Sequence, residues 1–339
     1  RLSALALGLA LLLNAAPLPQ AFAVEDDTDA SSSDSADSTD TADKTAVTTA
    51  DSDPTVTAAA ANAPALDATA ALLVSPESDM VLYEKNADEK RYPASTTKIM
   101  TALLTLENVS DLSVVVTAEA SDFENVTSDS SNAGIKVGEQ VTVKDLLYAL
   151  MLPSANEAAY MLARHVGGSW EQFVDMMNER AAELGCTGTH FCNPCGLHED
   201  DHYTTAHDLY LIAKEAMKDA TFRDIVSTVQ HRMAKTNLHE ERIILTTNQL
   251  IFSSFQPWSY ANCLGIKTGH TSQAGNCFVG YAEYGDAKLF SVVLGCSSSS
   301  KEYPTVAASF TDTKSLCQWG FENFTSKTLA RQGEEGTYT

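Results

Sequence analysis

Three short clusters of hydroxyl, amine and amide side chains are the parts of this sequence best suited to covalent chemistry. The first is Ser95-Thr96-Thr97-Lys98, directly after Tyr92-Pro93-Ala94. If Pro93 marks the entry to a helix, Ser95 stands in its first turn and Lys98 follows three residues on, on the same face. An amine beside a hydroxyl is a nucleophile–base pair, provided desolvation or a second cation keeps the lysine neutral part of the time. The second is Ser154-Ala155-Asn156, which Pro153 places at a break between two helices, where a hydroxyl and an amide can point into a cleft. The third is Lys267-Thr268-Gly269, at the end of an apolar strand. Gly269 lets a substrate backbone approach the strand closely, while Lys267 and Thr268 offer a cation and a hydroxyl to a carboxylate. Each cluster is weak alone. Ser298-x-x-Lys301 and Ser130-x-Asn132 repeat the first two spacings, and a lone S-x-x-K is usually a capped surface helix. The combination carries the weight, because the three come in a fixed order, 59 and 113 residues apart, each in the local setting its chemistry needs.

The elements that must position these groups appear as patterns. Ala71–Ser75 and Met80–Glu84 are apolar runs around Pro76-Glu77-Ser78-Asp79, which predicts a β-hairpin. Residues 95–107 are apolar nearly all round, with Ile99, Met100, Leu103, Leu104 and Leu106, which predicts a buried central helix. Val143–Leu152 reads as a helix that Pro153 ends, and Asn156–Val166 as one closed by Gly167-Gly168. A third covers about 170–184. Cys277–Tyr281 and Lys288–Gly295 flank Tyr284-Gly285-Asp286 as a second hairpin, and a last helix covers about 311–323. Strands at both ends with helices between them predict an α/β sandwich whose sheet is assembled from both termini.

Composition bounds the possibilities. The chain has 339 residues, 22 Lys and Arg against 45 Asp and Glu, and a formal net charge of −23. So acidic a chain repels nucleic acid and anionic membrane surfaces. The charge is uneven: residues 24–67 hold eleven acids and one Lys among Ser, Thr and Ala. Such a segment cannot bury enough apolar surface to offset the entropy of ordering, which predicts a disordered, self-repelling spacer. Before it, residues 1–23 carry Arg1, an apolar run from Leu2 to Leu13, and Ala21-Phe22-Ala23. This predicts a cleaved export signal, with an uncleaved N-terminal anchor as the alternative; both imply export. Residues 68–325 form the expected folded domain and 326–339 a tail, without repeats or a later stretch apolar enough to span a bilayer.

The three clusters match the S-x-x-K, S-D-N and K-T-G signature of penicillin-binding proteins and class A β-lactamases. Over nearly all of residues 68–325 the chain resembles one branch of that superfamily, the low-molecular-weight penicillin-binding proteins of peptidase family S11. These are serine-type D-alanyl-D-alanine carboxypeptidases. The resemblance rests on Tyr92–Lys98, Leu152-Pro153-Ser154-Ala155-Asn156-Glu157-Ala158-Ala159, His190-Phe191-Cys192-Asn193-Pro194-Cys195-Gly196-Leu197 with Tyr203–Leu209, and Gly265-Ile266-Lys267-Thr268-Gly269-His270-Thr271. It implies a β-lactamase/penicillin-binding-protein-like sandwich, an antiparallel sheet flanked by helices with an inserted all-helical subdomain, and no cofactor or metal. It also implies roles. Ser95 attacks the carbonyl between the terminal D-alanines of a peptidoglycan stem peptide and Lys98 takes its proton. The backbone N–H groups of Ser95 and His270 form the oxyanion hole. Ser154 relays a proton to the departing amine, Asn156 holds the peptide, and Lys267 with Thr268 holds the carboxylate beside Gly269. β-Lactams, which mimic the D-Ala-D-Ala end, are then covalent inhibitors. Relatives commonly add a C-terminal domain and a membrane anchor, which the tail would precede. They also carry an Arg shortly before the last helix; the matching position here is Ser309, leaving Lys301 as a possible substitute.

Two rival readings stand beside this one. A class A-like β-lactamase needs a deacylating Glu where this chain has Asn193-Pro194-x-Gly196-Leu197, and a non-catalytic module that binds β-lactams or peptidoglycan would tolerate the missing Arg. Cys186, Cys192 and Cys195 with His190 and His198 have spacings that suggest zinc, but an exported C-x-x-C more often forms a disulfide or packs as thiols. Seven cysteines leave at least one free or paired with another molecule. Cys263 and Cys277 flank the KTG strand and its neighbour, which leaves a bridge between them open. Trp258, Tyr260 and Phe255 read as core or cleft wall rather than a ligand-stacking box.

Overall fold

Successive side chains of Ala70–Ser75 bury into two different cores. Leu72 and Val74 join one apolar cluster while Ala71 and Leu73 join another. The same alternation runs along Ala287–Cys296, with Phe290, Val292 and Leu294 on one side and Leu289 and Val293 on the other. A strand whose two faces are both covered reads as a continuous apolar run, and this is the pattern in the sequence. The structure, a computed structural model, describes residues 45–46, 62–127, 130–252 and 256–324. All of these lie in one unit, Asp43–Thr339. The expected export signal, most of the acidic spacer, Phe255 and the tail lie outside the described residues.

The strands are β1 (Thr45–Ala46), β2 (Ala70–Ser75), β3 (Met80–Lys85), β4 (Val115–Thr117), β5 (Gln140–Thr142), β6 (Gln230–Met233), β7 (Arg242–Leu245), β8 (Cys263–Thr271), β9 (Gly275–Tyr284) and β10 (Ala287–Cys296). The main sheet has the order β1-β3-β2-β10-β9-β8, and its pairings are antiparallel. Both expected hairpins are present, and β10 against β2 joins the two ends of the chain. The sheet also begins earlier than the composition implies. Thr45–Ala46, inside the expected spacer, pairs with β3, and Asp67 accepts hydrogen bonds from Ser297 N at 2.5 Å and Ser297 Oγ at 3.0 Å.

The helices are α1 (Lys98–Asn108), α2 (Val143–Met151), α3 (Asn156–Gly167), α4 (Trp170–Glu183), α5 (Ala206–Ala216), α6 (Ala220–Ser227), α7 (Gln249–Phe252) and α8 (Ala308–Asn323). Helix α1 is buried from Lys98 to Thr105, as its all-round apolarity predicts. It packs among α2, α3 and α5 in the core on one face of the sheet, while α8 covers the other face with Leu316 and Trp319. This is the expected antiparallel sheet flanked by helices, with most helices inserted between β3 and β8. Two antiparallel ribbons, β4–β5 and β6–β7, and helices α5 and α6 were not legible as separate elements. Among the described residues, no helix is long and apolar enough to cross a membrane.

The cysteine expectation needs correction. In the β8–β9 register Cys263 stands opposite Ala282 and Cys277 opposite Gly269, so the two lie at different levels of the ladder and do not bridge. All seven cysteines are free thiols, six of them buried.

Candidate active site

Pro93 caps a single 3₁₀ turn, Ala94–Thr97, ahead of α1, so Ser95 sits one turn outside the α-helix in which the sequence placed it. Thr96 tightens the turn, its Oγ1 donating to Pro93 O at 2.7 Å. Ala94 adopts φ of +47°, a left-handed conformation costly for a residue with a Cβ. Gly196 secures that conformation from outside. A Cβ on it would lie 1.9 Å from Ala94 O, so only glycine lets the His190–Leu197 loop press against the turn. Gly269 approaches from β8, where a Cβ would lie 3.1 Å from Ser95 N. The Lys-Thr-Gly strand therefore runs beside the Ser95 backbone N–H, and as the last strand of the main sheet it exposes alternate backbone groups along its outer side.

Lys98 is fully buried, and its ammonium has three acceptors: Ser95 Oγ at 3.1 Å, Asn156 Oδ1 at 2.7 Å and Cys195 O at 2.6 Å. Only Ser95 Oγ can also donate. With the amine neutral, Asn156 and Cys195 take its two remaining N–H groups and its lone pair faces the Ser95 hydroxyl. Burial pushes the Lys98 amine down to about 8, against the opposing charges of Cys195 and Glu157. Roughly one lysine in ten is then neutral at pH 7.

The loop that presents Cys195 O is organised by one side chain. Asn193 Oδ1 accepts from the backbone N–H of Gly196 at 2.7 Å and of Cys195 and Leu197 at 3.2 Å each, while Nδ2 donates to Leu197 O at 2.9 Å. Thr101 Oγ1 of α1 donates to Pro194 O at 2.6 Å. Behind it, buried His202 accepts from Cys192 N at its Nδ1, 3.1 Å away. Its Nε2 therefore carries the proton and donates to Thr97 Oγ1 at 2.8 Å. Burial drives the imidazole down to about 3, so it is neutral there.

Ser154 stands at the α2–α3 break with φ of +65°, and its Oγ is buried without a hydrogen-bond partner among the described residues. A strained residue presenting an unsatisfied hydroxyl marks a site prepared for something else to bind. The rival Ser130-x-Asn132 triplet lies next to it, since Asn156 N donates to Ser131 O at 2.9 Å. Across the cleft, Lys267 is buried and its ammonium donates to Thr268 O at 3.0 Å. Burial, then the charge of Lys98, holds the Lys267 amine well below its usual value. An anion in the cleft would draw it back up. Thr247, absent from the sequence reading, aligns the Thr268 hydroxyl through an Oγ1–Oγ1 contact of 2.6 Å.

Ser95, Ser154, Asn156, Thr268, Gly269 and His270 border one cavity of about 420 Å³. Lys98 and Lys267 are buried and bonded to residues that border it, Lys98 to Ser95 and Asn156 and Lys267 to Thr268. Ser309 also borders it, whereas Lys301 lines a separate hollow beside Asp67 and is no substitute cation there. Ser298, too, is exposed outside the cavity. A larger cavity, about 720 Å³, opens between Tyr92, Tyr203 and Gln273 and holds none of the residues predicted to do chemistry.

The peptidase S11 family, described as D-alanyl-D-alanine carboxypeptidase, matches residues 57–298. The chain belongs to this family. S11 relatives include the D-alanyl-D-alanine carboxypeptidase of Streptomyces sp. strain K15, 35% identical over 254 residues, which are 71% of this chain and 82% of that one. The carboxypeptidase DacF of Bacillus subtilis is 34% identical over 233 residues, 68% of this chain. The chain spans 58% of DacF and 64% of DacC of Escherichia coli. Among solved structures, the Streptomyces K15 DD-transpeptidase superposes with a TM-score of 0.69 at 34% identity, covering 77% of this chain and 99% of that one. A D-alanyl-D-alanine carboxypeptidase of Mycobacterium tuberculosis gives 0.68 at 30% identity, covering 77% and 93%. The sandwich expected from the sequence is thus the fold of this S11 chain.

The tempting metal and aromatic residues have other partners. Cys186 Sγ contacts Asp208 O, and His198 packs edge-on against Tyr92 at 4.6 Å. Tyr260 and Trp258 belong to the core under α8, Trp258 standing edge-on to Tyr303. No group of three or more His, Cys, Asp or Glu is arranged to hold a metal ion among the described residues.

Proposed function

We propose that this chain is a serine D-alanyl-D-alanine carboxypeptidase, removing the terminal D-alanine from peptidoglycan stem peptides and acylated by β-lactams. The observation that carries the reading is the environment of Lys98 Nζ, whose three acceptors include one reactive hydroxyl, Ser95 Oγ at 3.1 Å.

Ser95 Oγ bonds to the carbonyl carbon of the penultimate D-alanine as its proton passes to neutral Lys98. The carbonyl oxygen takes the electron pair and is held by the N–H groups of Ser95 and His270. Collapse breaks the C–N bond, and the departing amine takes a proton that Lys98 supplies through Ser154. Water then attacks the ester, gives its proton back to Lys98, and restores the Ser95 hydroxyl. Lys267, aided by Thr268 and Thr247, holds the terminal carboxylate beside Gly269, and Asn156 holds the peptide. A carboxylate there counters the burial that lowers the Lys267 amine, which favours an anionic substrate end over a neutral one. The apolar run and Ala21-Phe22-Ala23 at the front of the sequence support export and action outside the cytoplasm, at the cell wall or in the secreted fraction.

A second reading, a module that is acylated or binds without turnover, is favoured by Ser309, since no arginine reaches the cavity wall at that position. Incubation with diacetyl-Lys-D-Ala-D-Ala separates the two. Release of one D-alanine per peptide supports the carboxypeptidase; labelling by fluorescent penicillin without release supports the module.

A further inference from the structure

Glu157 is the second residue of α3, 1% exposed, next to Asn156 and outside every step assigned above. Its two oxygens do different things. Oε1 accepts the backbone N–H of Ala133 at 2.6 Å and of Ile135 at 3.4 Å. That stretch continues from Ser130 and Ser131, which border the cavity, and Ser131 O is bonded to Asn156 N. Oε2 is buried without a hydrogen-bond partner among the described residues, and the carboxylate acts on Lys98 through its charge. An isolated buried carboxylate is costly unless a cation compensates it, and Glu157 adjoins Asn156, whose Oδ1 accepts from the candidate general base, Lys98, at 2.7 Å.

Resting on the carboxypeptidase reading, we propose that Glu157 is a positioning residue for acylation: it clamps the 130–135 wall of the cavity and sets how readily Lys98 gives up its proton. The groups facing Lys98 are Ser95 from the nucleophile turn, Asn156 and Glu157 from α3, and Cys195 from the loop before α5. The charge of Lys98 also acts on Lys267 of β8 and opposes protonation of His202. Burial raises the Glu157 carboxyl, while its backbone bonds and Lys98 oppose that rise. An ionised Glu157 stabilises the Lys98 ammonium. Removing the charge lets the amine become neutral at lower pH, and acylation begins at lower pH.

Glu157→Gln tests this, because it keeps an oxygen for the Ala133 N–H and loses only the charge. The acid limb of penicillin acylation should move down by roughly 0.5–1 pH unit. The same shift should appear in the Lys98 titration, followed by ¹³C NMR of ε-labelled lysine and assigned by the signal lost in Lys98→Ala. A Lys98 titration that coincides with wild type overturns the inference while leaving the carboxypeptidase reading intact. A shifted titration in a protein that neither labels with penicillin nor releases D-alanine supports the Glu157 coupling and sinks that reading instead. If the Gln variant does not fold, Glu157→Asp decides: its charge stays but draws back from Ala133. KM should rise several-fold with the Lys98 titration unmoved, and an unchanged KM contradicts the clamp.

Discussion

Cys195 O accepts a 2.6 Å hydrogen bond from Lys98 Nζ, which links the Asn-Pro-Cys-Gly-Leu loop to the amine beside Ser95. Three backbone N–H groups gathered on Asn193 fix where that carbonyl points, and Gly196 fixes the loop against the Ser95 turn. On the mechanism proposed, the loop occupies one Lys98 donor permanently and leaves the lone pair of the neutral amine directed at the nucleophile. A stretch that contributes no reacting atom thereby decides the orientation of the base.

The first consequence is a pH profile. With the Lys98 amine lowered to about 8 by burial, the neutral fraction grows about tenfold per unit below that value and levels off above it. Second-order acylation by a fluorescent penicillin, measured from pH 5.5 to 9, should climb accordingly and flatten above pH 8. A flat profile across that range would mean Lys98 is not the base.

Gly196→Ala should fail twice over. The residue has φ of +85°, and the added methyl would lie 1.9 Å from Ala94 O. Overpacking of this kind costs about 3 kcal/mol or displaces the turn. Differential scanning fluorimetry should show a Tm lower by roughly 6–12 °C, with penicillin labelling reduced at least tenfold. Wild-type Tm and labelling together would show that the loop does not hold the turn.

His202 makes stability depend on acid. Folded, the imidazole takes a proton only near 3, while unfolded it does so near 6.5, so between those values the unfolded state binds the extra proton. Its contribution is complete above pH 6.5 and is lost as pH falls, by about 1.4 kcal/mol per unit. Urea denaturation at pH 7 and pH 5 should therefore show a larger loss for wild type than for His202→Gln, which lacks the titrating group. Equal losses would contradict a neutral buried His202.

Much of the site was visible in the sequence because its chemistry needs particular residue types at local spacings. Ser95 and Lys98 are three residues apart on one face, Pro153 announces the break that presents Ser154, and the KTG triplet lies on a strand whose apolar run is plain. What stayed hidden is long-range. Thr247 meets Thr268 across a loop, His202 reaches Thr97 from the far end of another, and Glu157 clamps a segment 22–24 residues upstream. No periodicity reports such pairings. Fold followed the same division: β2, β9 and β10 alternate between two cores and were legible together with β3, whereas the strands of the β4–β5 and β6–β7 ribbons are only three or four residues long and leave apolar residues such as Val115 and Ile243 exposed.

Ser309→Arg tests how the substrate carboxylate is held. Ser309 borders the cavity, and a guanidinium extended from it would meet an anion seated beside Thr268. One added charge-assisted bond corresponds to roughly tenfold in affinity. KM for diacetyl-Lys-D-Ala-D-Ala should fall by about that factor, with kcat little changed. No change in KM would mean that Lys267, Thr268 and Thr247 already hold the carboxylate fully.

The measurement closest to the central claim is intact and peptide-level mass spectrometry after exposure to benzylpenicillin. The wild-type chain should gain one penicilloyl group, located on the peptide containing Ser95, and Ser95→Ala should gain none while keeping its wild-type melting curve. An adduct on another residue, or one that persists in Ser95→Ala, would contradict the assignment of Ser95 as nucleophile and the mechanism built on it.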